Sequence, residues 1–243
     1  MSNSSDSKPG NRILTIPVRD RGAFEAACAD ATDSDAVRVA VVHITGEADD
    51  GEGYLESGEP GMPAVLAAVQ APVVASLSGR IDDRALELAL AADVRVCDAG
   101  TTFALTQPGR GELPSDGGTQ RLPRIVGPAL AADMLLTGRR VTAPEALAAG
   151  LVTEVLPDDE AAARVVEFAA EISARGLAAG RFSKEAVLKG ADMPLDQSLR
   201  LEADLAILLH SDPERTEGID AFKEQREPDF RGKPGYRRDD PGR

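Results

Sequence analysis

In the first half of the chain, short apolar runs typical of strands alternate with longer segments whose apolar residues recur at helical spacing. The pattern predicts strands at residues 13–18, 37–44, 73–77 and 94–97, and helices at 23–31, 64–69 and 83–92. The second strand is almost continuous in Val, Ala and Ile, as expected for a strand that is buried on both faces. We therefore predict an α/β fold, with a parallel sheet covered by helices.

The second half is predicted to be mainly helical. Helical spacing occurs at residues 128–136, 143–149, 159–175, 183–189, 195–209 and 213–225. Thr142 is the predicted N-cap of the second of these helices, and Gly150 ends it. Residues 45–63 are rich in Gly, Asp, Glu and Pro, so we predict a loop there. The predicted organisation is a disordered tail at 1–11, an α/β core at 12–190, a helical region at 191–233 and a second tail at 234–243.

Composition excludes several classes of protein. Hydrophobic residues make up 42% of the 243 residues and charged residues 28%, as in ordinary folded proteins. No apolar run approaches the ~20 residues of a membrane span, and the polar start does not resemble a signal peptide, so we expect a cytoplasmic protein without a membrane partner. The net charge of −14 argues against nucleic acid as a partner. A small polyanion held by a few local cations remains compatible with it.

The cysteines and histidines do not indicate a metal site. Cys28 and Cys97 lie far apart and lack zinc-ligand spacing, so both are predicted to be buried thiols. His43 falls inside a strand and His210 at the end of a helix, where packing and helix-end roles are expected. Gly109 and Gly111 do not form a phosphate-binding loop. We predict neither metal binding nor nucleotide hydrolysis.

Several sequence blocks in a fixed order do indicate a family. Residues 71–79 read APVVASLSG, and residues 87–93 read ELALAAD. They are followed by GGTQRLPR at 117–124, LTGRR at 136–140, EALAAGLV at 145–152 and EGIDAFKEQREPDF at 217–230. Together these blocks resemble the enoyl-CoA hydratase/isomerase (crotonase) family over residues 13–233, most strongly from residue 71 onward.

The resemblance implies a crotonase-like spiral of ββα units with a C-terminal helical subdomain that packs in a homotrimer or homohexamer. It implies an acyl-CoA thioester as substrate, with coenzyme A as part of the substrate and no separate cofactor. In this family two backbone N–H groups hold the thioester oxygen and stabilise an enolate-like intermediate.

Glu87 falls at the position of the first of two catalytic glutamates in the family's hydratases. The alternative is a surface glutamate on an ordinary helix, since Glu is a good helix former. Gln107 falls at the second position, where an amide cannot exchange a proton. Asp116, Glu112, Asp82 and Asp83 are nearby carboxylates that could substitute, or they are solvated loop residues.

The resemblance also assigns the oxyanion hole and the substrate contacts. The family's three glycines are replaced by Asp83, Arg84 and Ala85, so the backbone N–H of Arg84 is one expected donor and that of Gly53 is the other. A capping carboxylate from Asp82 or Asp83 would compete for the Arg84 N–H. The residues assigned to substrate binding are Asp116, Phe222, Lys223 and Arg226, the last two near the CoA phosphates. Gln225 stands where the family usually has a lysine.

These residues indicate an enzyme acting on a CoA thioester with Glu87 as acid/base. Double-bond isomerisation, or another enolate reaction, fits one carboxylate better than hydration does. The alternative is a non-catalytic acyl-CoA-binding or scaffolding subunit with the same fold. For assembly, the pattern predicts an apolar stripe on the helix at 195–209 that buries against another copy, formed by Leu199, Leu201, Leu205, Leu208 and Leu209.

Overall fold

The computed structural model describes residues 12–46 and 60–230. Its strands are β1 (Arg12–Ile16), β2 (Val37–Thr45), β3 (Val73–Ser78), β4 (Arg80–Asp82), β5 (Val94–Asp98), β6 (Thr102–Ala104), β7 (Val141–Thr142) and β8 (Glu154–Leu156). Its helices are α1 (Arg21–Asp33), α2 (Met62–Ala67), α3 (Asp83–Ala89), α4 (Gly118–Val126), α5 (Pro128–Thr137), α6 (Ala143–Ala148), α7 (Ala161–Ser173), α8 (Leu177–Gly190), α9 (Leu195–His210) and α10 (Pro213–Glu224), with a 3-10 turn at Gln107–Arg110. The predicted α/β class is confirmed.

The main sheet is parallel and has the strand order β1-β2-β3-β5-β8. Its central strands β2 and β3 consist mostly of buried β-branched residues and alanine, as the sequence predicts for strands covered on both faces. One face packs against α7, where Val39, Val41 and Val74 meet Ala161 and Val165. The other face contributes to the main core under α1 to α6.

A second, smaller sheet positions the start of α3, the helix that carries Glu87. Its order is β4-β6-β7, with β4 and β6 parallel and β6 and β7 antiparallel. The chain passes from β3 in the main sheet to β4 in the small sheet and then into α3, and it repeats this path from β5 to β6 and on to α4. These are the ββα units that the resemblance implies, and they bring the start of α3 beside the end of β6.

The C-terminal region is helical, as predicted. Helices α8 and α9 pack against each other, and Leu205 of the predicted leucine stripe is buried in the single chain. Leu199 of the same stripe remains exposed, as do Val187, Leu195 and Ile207. The stripe is therefore divided between an internal contact and an apolar surface.

A buried arginine connects this helical region to the main sheet. Arg38 of β2 donates to the carboxylate of Glu214 on α10 at 2.9 Å and to the carbonyl of Arg175, also at 2.9 Å. It also donates to the carbonyl of Phe230, near the end of the described chain. Because both Arg38 and Glu214 are buried, the guanidinium depends on these acceptors to replace water.

Most predicted elements are found with small changes at their ends. The first strand ends at Ile16, one residue before Pro17, which lacks the N–H that continued pairing needs. The helix predicted at 183–189 begins six residues earlier, at Leu177. Thr142 is the N-cap of α6, as predicted, and its backbone N–H donates to Glu145 at 3.0 Å. The sequence interpretation missed α4 and the short strands β4, β6, β7 and β8.

The predicted tails at 1–11 and 234–243 and most of the predicted loop at 45–63 lie outside the described residues. Within the described part of that loop, α2 already begins at Met62. No helix in the described residues is long and apolar enough to cross a membrane.

Candidate active site

Glu87 lies in the middle of α3 and is only 1% exposed. Its Oε1 atom accepts the backbone N–H of Asp116 at 2.9 Å and that of Gly118 at 2.8 Å. The flanking Leu86 and Leu88 are fully buried and anchor the helix in the core. The alternative of a surface glutamate is therefore wrong.

Gly118 is required for this arrangement because it is the first residue of α4 and packs directly on Glu87. A Cβ atom at this position would lie 3.1 Å from Glu87 Oε1 and 2.9 Å from the Pro114 side chain. A side chain at residue 118 would therefore push the carboxylate or the preceding loop out of place. The sequence interpretation used Gly118 only as part of the GGTQRLPR block.

Gln107 begins the 3-10 turn after β6 and is 6% exposed. Its Nε2 lies 3.4 Å from Glu87 Oε2, a long and weak hydrogen bond. The other amide atom, Oε1, is buried and has no hydrogen-bond partner within residues 12–46 and 60–230. The structure thus brings together Glu87 and Gln107, which the resemblance assigns to the two glutamate positions, and the amide oxygen of Gln107 is an unsatisfied acceptor among the described residues.

The surroundings of Glu87 on balance oppose ionisation of its carboxyl group. Burial raises the pKa of the Glu87 carboxyl above its usual value, the two backbone N–H donors lower it, and the charges of Asp116 and Asp83 raise it further. Burial also lowers the pKa of Arg121, whose charge faces Glu87 and Asp116. Arg121 donates to the Asp116 carbonyl at 2.8 Å and so supports the loop that holds Glu87.

The two aspartates at the start of α3, Asp82 and Asp83, do not behave as predicted. Asp82 is the N-cap by position, but its side chain makes no capping hydrogen bond. Instead it accepts two hydrogen bonds from Arg140, at 2.8 and 2.5 Å. The expected competition between a capping carboxylate of Asp82 and a thioester is therefore wrong, because a charge-assisted pair with a distant arginine is stronger than the local cap.

Asp83 is also engaged in contacts outside its own helix. Its carboxylate accepts the backbone N–H of Thr106 at 2.5 Å, the Thr106 hydroxyl at 2.8 Å and Arg110 at 3.1 Å. Glu112 is exposed and pairs with the same arginine. Of the four carboxylates considered as substitutes for the missing glutamate, Asp82, Asp83 and Glu112 are therefore occupied by arginines.

The remaining predicted site residues are divided between this region and α10. Asp116 lies beside Glu87, and its carboxylate packs so closely on Gly61 that a Cβ there would be 2.1 Å from Oδ1. Arg84 is the second residue of α3, in the first turn of the helix. Gly53 lies outside the described residues.

Among the described residues, no hydrogen bond or ion pair joins Glu87 to the three substrate-binding candidates on α10 or just after it. Phe222 is 85% exposed. The ion pairs of Lys223 with Asp220, and of Arg226 with Glu217 and Glu224, remain within this C-terminal segment. Their assignment to substrate binding stays a prediction.

The two cysteines and two histidines are engaged in packing and in hydrogen bonds away from Glu87. Cys28 and Cys97 are buried, and burial raises the pKa of each thiol to about 12, so both remain protonated as the sequence predicts. His210 bonds to the Ala206 carbonyl within α9. His43 contacts the Ser76 hydroxyl on the adjacent strand at 2.5 Å, and burial lowers its pKa.

Within residues 12–46 and 60–230, no group of three or more His, Cys, Asp or Glu residues could hold a metal ion.

Comparison with known proteins identifies the class to which this fold and site belong. The sequence model of the enoyl-CoA hydratase/isomerase family matches residues 47–233. The chain belongs to the enoyl-CoA hydratase/isomerase family.

Individual relatives agree with this assignment. The chain is similar to 2,3-dehydroadipyl-CoA hydratase of Escherichia coli, with 36% identity over 179 residues that cover 74% of this chain and 70% of the relative. It is also similar to crotonyl-CoA hydratase of Syntrophomonas wolfei, with 35% identity over 166 residues that cover 68% and 64%. The match thus spans only about two thirds of the length of these relatives.

Solved structures give the same fold. Enoyl-CoA hydratase from Bacillus anthracis aligns with a TM-score of 0.78 and 29% identity, over 86% of this chain and 87% of that structure. DspI from Pseudomonas aeruginosa aligns with a TM-score of 0.79 and 26% identity, over 95% of this chain and 100% of that structure. The expected crotonase-like fold is confirmed.

Proposed function

We propose that this protein acts on an acyl-CoA thioester with the Glu87 carboxylate as its single acid/base group, and that it moves a double bond rather than adding water. The observation that carries the proposal is the contrast between the two oxygens of Glu87. Oε1 is held by two backbone N–H groups, whereas the one hydrogen bond of Oε2 in the described part of the chain is the long contact to Gln107. A buried carboxylate with one oxygen held and the other weakly bonded is suited to accept and return a proton.

The proposed reaction needs only one such group. The α-carbon of a 3-enoyl thioester loses a proton to Glu87, and the electrons of the broken C–H bond pass into a dienolate. The protonated Glu87 then delivers the same proton to the γ-carbon, which gives the 2-enoyl thioester. Hydration would need a second group to handle the water molecule, and the Gln107 amide does not exchange protons.

The dienolate oxygen needs hydrogen-bond donors. We assign this role to the backbone N–H groups of Arg84 and Gly53, following the family resemblance. Loss of one such donor typically costs ~10²–10³ in rate, so the donors at this position matter as much as the base.

For the CoA moiety, Phe222, Lys223 and Arg226 are the proposed contacts. Phe222 and Lys223 are exposed on α10, and Arg226 lies just after it. The exposed apolar residues of α8 and α9 support assembly as a homotrimer or homohexamer. Asp116 is the proposed contact beside Glu87.

A second candidate is a non-catalytic subunit that binds acyl-CoA or serves as a scaffold. It is favoured by the replacement of the family's glycines with Asp83 and Arg84, since the Asp83 carboxylate is committed to Thr106 and Arg110. In that case the protein would bind CoA thioesters without converting them.

Turnover of 3-hexenoyl-CoA and of crotonyl-CoA would test the proposal, together with calorimetric titration of acetyl-CoA. We expect isomerisation to exceed hydration, and we expect Glu87→Gln to lower isomerisation by ~10² or more because it removes the proton acceptor. Glu167→Gln, on the exposed side of α7, is the matched control and should leave turnover unchanged.

Three results would contradict parts of this proposal. Full activity in Glu87→Gln would contradict the assignment of the base. Binding of acetyl-CoA without any turnover would favour the scaffolding alternative. Absence of both binding and turnover at millimolar ligand would contradict an acyl-CoA role.

A further inference from the structure

Asp83 occupies an unusual backbone position for an aspartate. Among the described residues, three that are not glycine have positive φ, and Asp83 is the one at a helix start, with φ of 47°. This left-handed conformation is uncommon for residues other than Gly, Asn and Asp, and it costs energy that surrounding contacts must offset. The contacts that offset it here come from the side chain of the same residue.

Both oxygens of the Asp83 carboxylate bind the segment that follows β6. Oδ1 accepts the backbone N–H of Thr106 at 2.5 Å, and Oδ2 accepts the Thr106 hydroxyl at 2.8 Å and Arg110 Nη2 at 3.1 Å. Arg110 Nη1 also donates to the Thr106 hydroxyl at 2.9 Å. These bonds form a closed ring of three side chains around one backbone N–H.

This ring lies directly beside the contact between Glu87 and Gln107. Asp83 and Glu87 are four residues apart on α3 and therefore lie on the same face of the helix. Their contacts, Thr106 and Gln107, are consecutive in the chain. Two adjacent links thus join α3 to the same segment: short, charge-assisted bonds from Asp83 and a single 3.4 Å contact from Glu87.

We propose that Asp83 is a positioning residue whose carboxylate holds Thr106 and thereby keeps the Gln107 carboxamide beside Glu87. The inference deepens the proposed function, since it concerns the same pair of side chains. It can nevertheless be measured without turnover, because it is a statement about geometry and proton affinity.

The charges facing Glu87 define a second observable. Asp83 on its own helix and Asp116 on the neighbouring loop both oppose its ionisation. Arg121 on α4 faces it with positive charge, and Arg110 partly offsets Asp83. Removing the charge of Asp83 while keeping its shape should therefore lower the pKa of Glu87.

Two variants and one control separate these effects. Asp83→Gly suits the positive φ but removes the carboxylate, whereas Asp83→Asn keeps an acceptor for the Thr106 N–H and removes only the charge. Asp82→Asn is the matched control, because Asp82 is adjacent and also paired with an arginine but does not contact Thr106.

Hydrogen exchange of the Thr106 amide gives the first readout. We expect Asp83→Gly to speed this exchange about ten-fold or more, since a hydrogen bond to a charged acceptor is lost. We expect little change in Asp82→Asn. A crystal structure of Asp83→Gly should show Gln107 displaced from Glu87. Unchanged exchange together with an unmoved Gln107 would overturn the proposal.

The pKa of Glu87, followed by NMR of labelled glutamate carboxyl carbons and assigned with Glu87→Gln, gives the second readout. It should fall in Asp83→Asn and stay unchanged in Asp82→Asn. An equal shift in both variants would also overturn the role given to Asp83, because Glu87 would then respond to any nearby charge and not to the carboxylate four residues away on its own helix. Asp83→Asn carries this readout even if Asp83→Gly does not fold. Failure of the protein to turn over any thioester would refute the proposed function and leave these readouts intact.

Discussion

Replacing Gln107 with glutamate would place a second carboxylate against Glu87, and the cost can be worked from the structure. The present contact joins Gln107 Nε2 and Glu87 Oε2 at 3.4 Å. Two negative charges at that distance repel by about 5 kcal/mol at an effective dielectric constant near 20. This repulsion raises the pKa of one carboxyl of the pair well above its usual value. The energy is an upper value, because the side chains can move apart.

The sign of the pH dependence follows from this raised pKa. The new carboxyl titrates near pH 4.3 in the unfolded chain and well above that in the folded protein. Gln107→Glu therefore costs little stability below about pH 4, and the loss grows as pH rises toward the folded-state pKa. We expect the variant to lose about 1 kcal/mol relative to the wild type at pH 5 and up to about 4 kcal/mol at pH 7.

Urea unfolding at pH 5, 6, 7 and 8, at one protein concentration because the protein is expected to self-associate, would measure this difference. The control is the exchanged pair, Glu87→Gln with Gln107→Glu, which has one carboxylate and one amide and should regain most of the loss. A difference between Gln107→Glu and wild type that does not change with pH would refute the close contact of these two side chains.

The same variant also reports on chemistry. A second carboxylate supplies the group that water addition lacks, a contribution of ~10²–10⁴ in rate when its geometry is right. We therefore expect Gln107→Glu to increase hydration of crotonyl-CoA. No increase in a folded variant that still binds CoA would mean that another feature of the site limits hydration.

Three further predictions follow from the structure. Gly118→Ala should lower turnover of 3-hexenoyl-CoA, because the added Cβ displaces the Glu87 carboxylate. Gly109→Ala is the control, since a Cβ there meets no neighbour within 4 Å and turnover should be unchanged. Equal activities of the two variants would contradict this reasoning. Arg38→Ala should destabilise the protein by about 3–5 kcal/mol in urea unfolding, because it leaves the buried Glu214 without its partner; a loss below about 1 kcal/mol would mean that the pair is hydrated. Light scattering after size exclusion should give a trimer or hexamer, since apolar side chains of α8 and α9 are exposed in the single chain; a monomer at micromolar concentration would refute assembly through these helices.

The sequence predicted the elements with strong periodicity and missed those that are too short to show one. Strands β4, β6 and β7 contain three, three and two residues, and a run of this length cannot display an alternating pattern. The closeness of Glu87 and Gln107 was implied by the family blocks, since composition and spacing alone do not bring together residues on different elements.

The electrostatic surroundings of the site were less predictable. The capping rule considers only residues within one turn, so it assigned Asp82 to its own helix. Arg140, 58 residues further on, binds that carboxylate instead. The link from Asp83 to Thr106 likewise spans 23 residues. Such pairings depend on how β4 and β6 align in the small sheet, and no local signal encodes that alignment.

The burial of Arg38 has a consequence for how the chain is made. Arg38 belongs to the second strand to emerge during synthesis, but its acceptors belong to Arg175, Glu214 and Phe230. A growing chain folds its N-terminal parts first where it can. Here the cation on β2 cannot be buried with all its acceptors until synthesis has passed Phe230. The burial of Arg38 therefore comes late in the folding of a newly made chain, long after β2 itself has been synthesised.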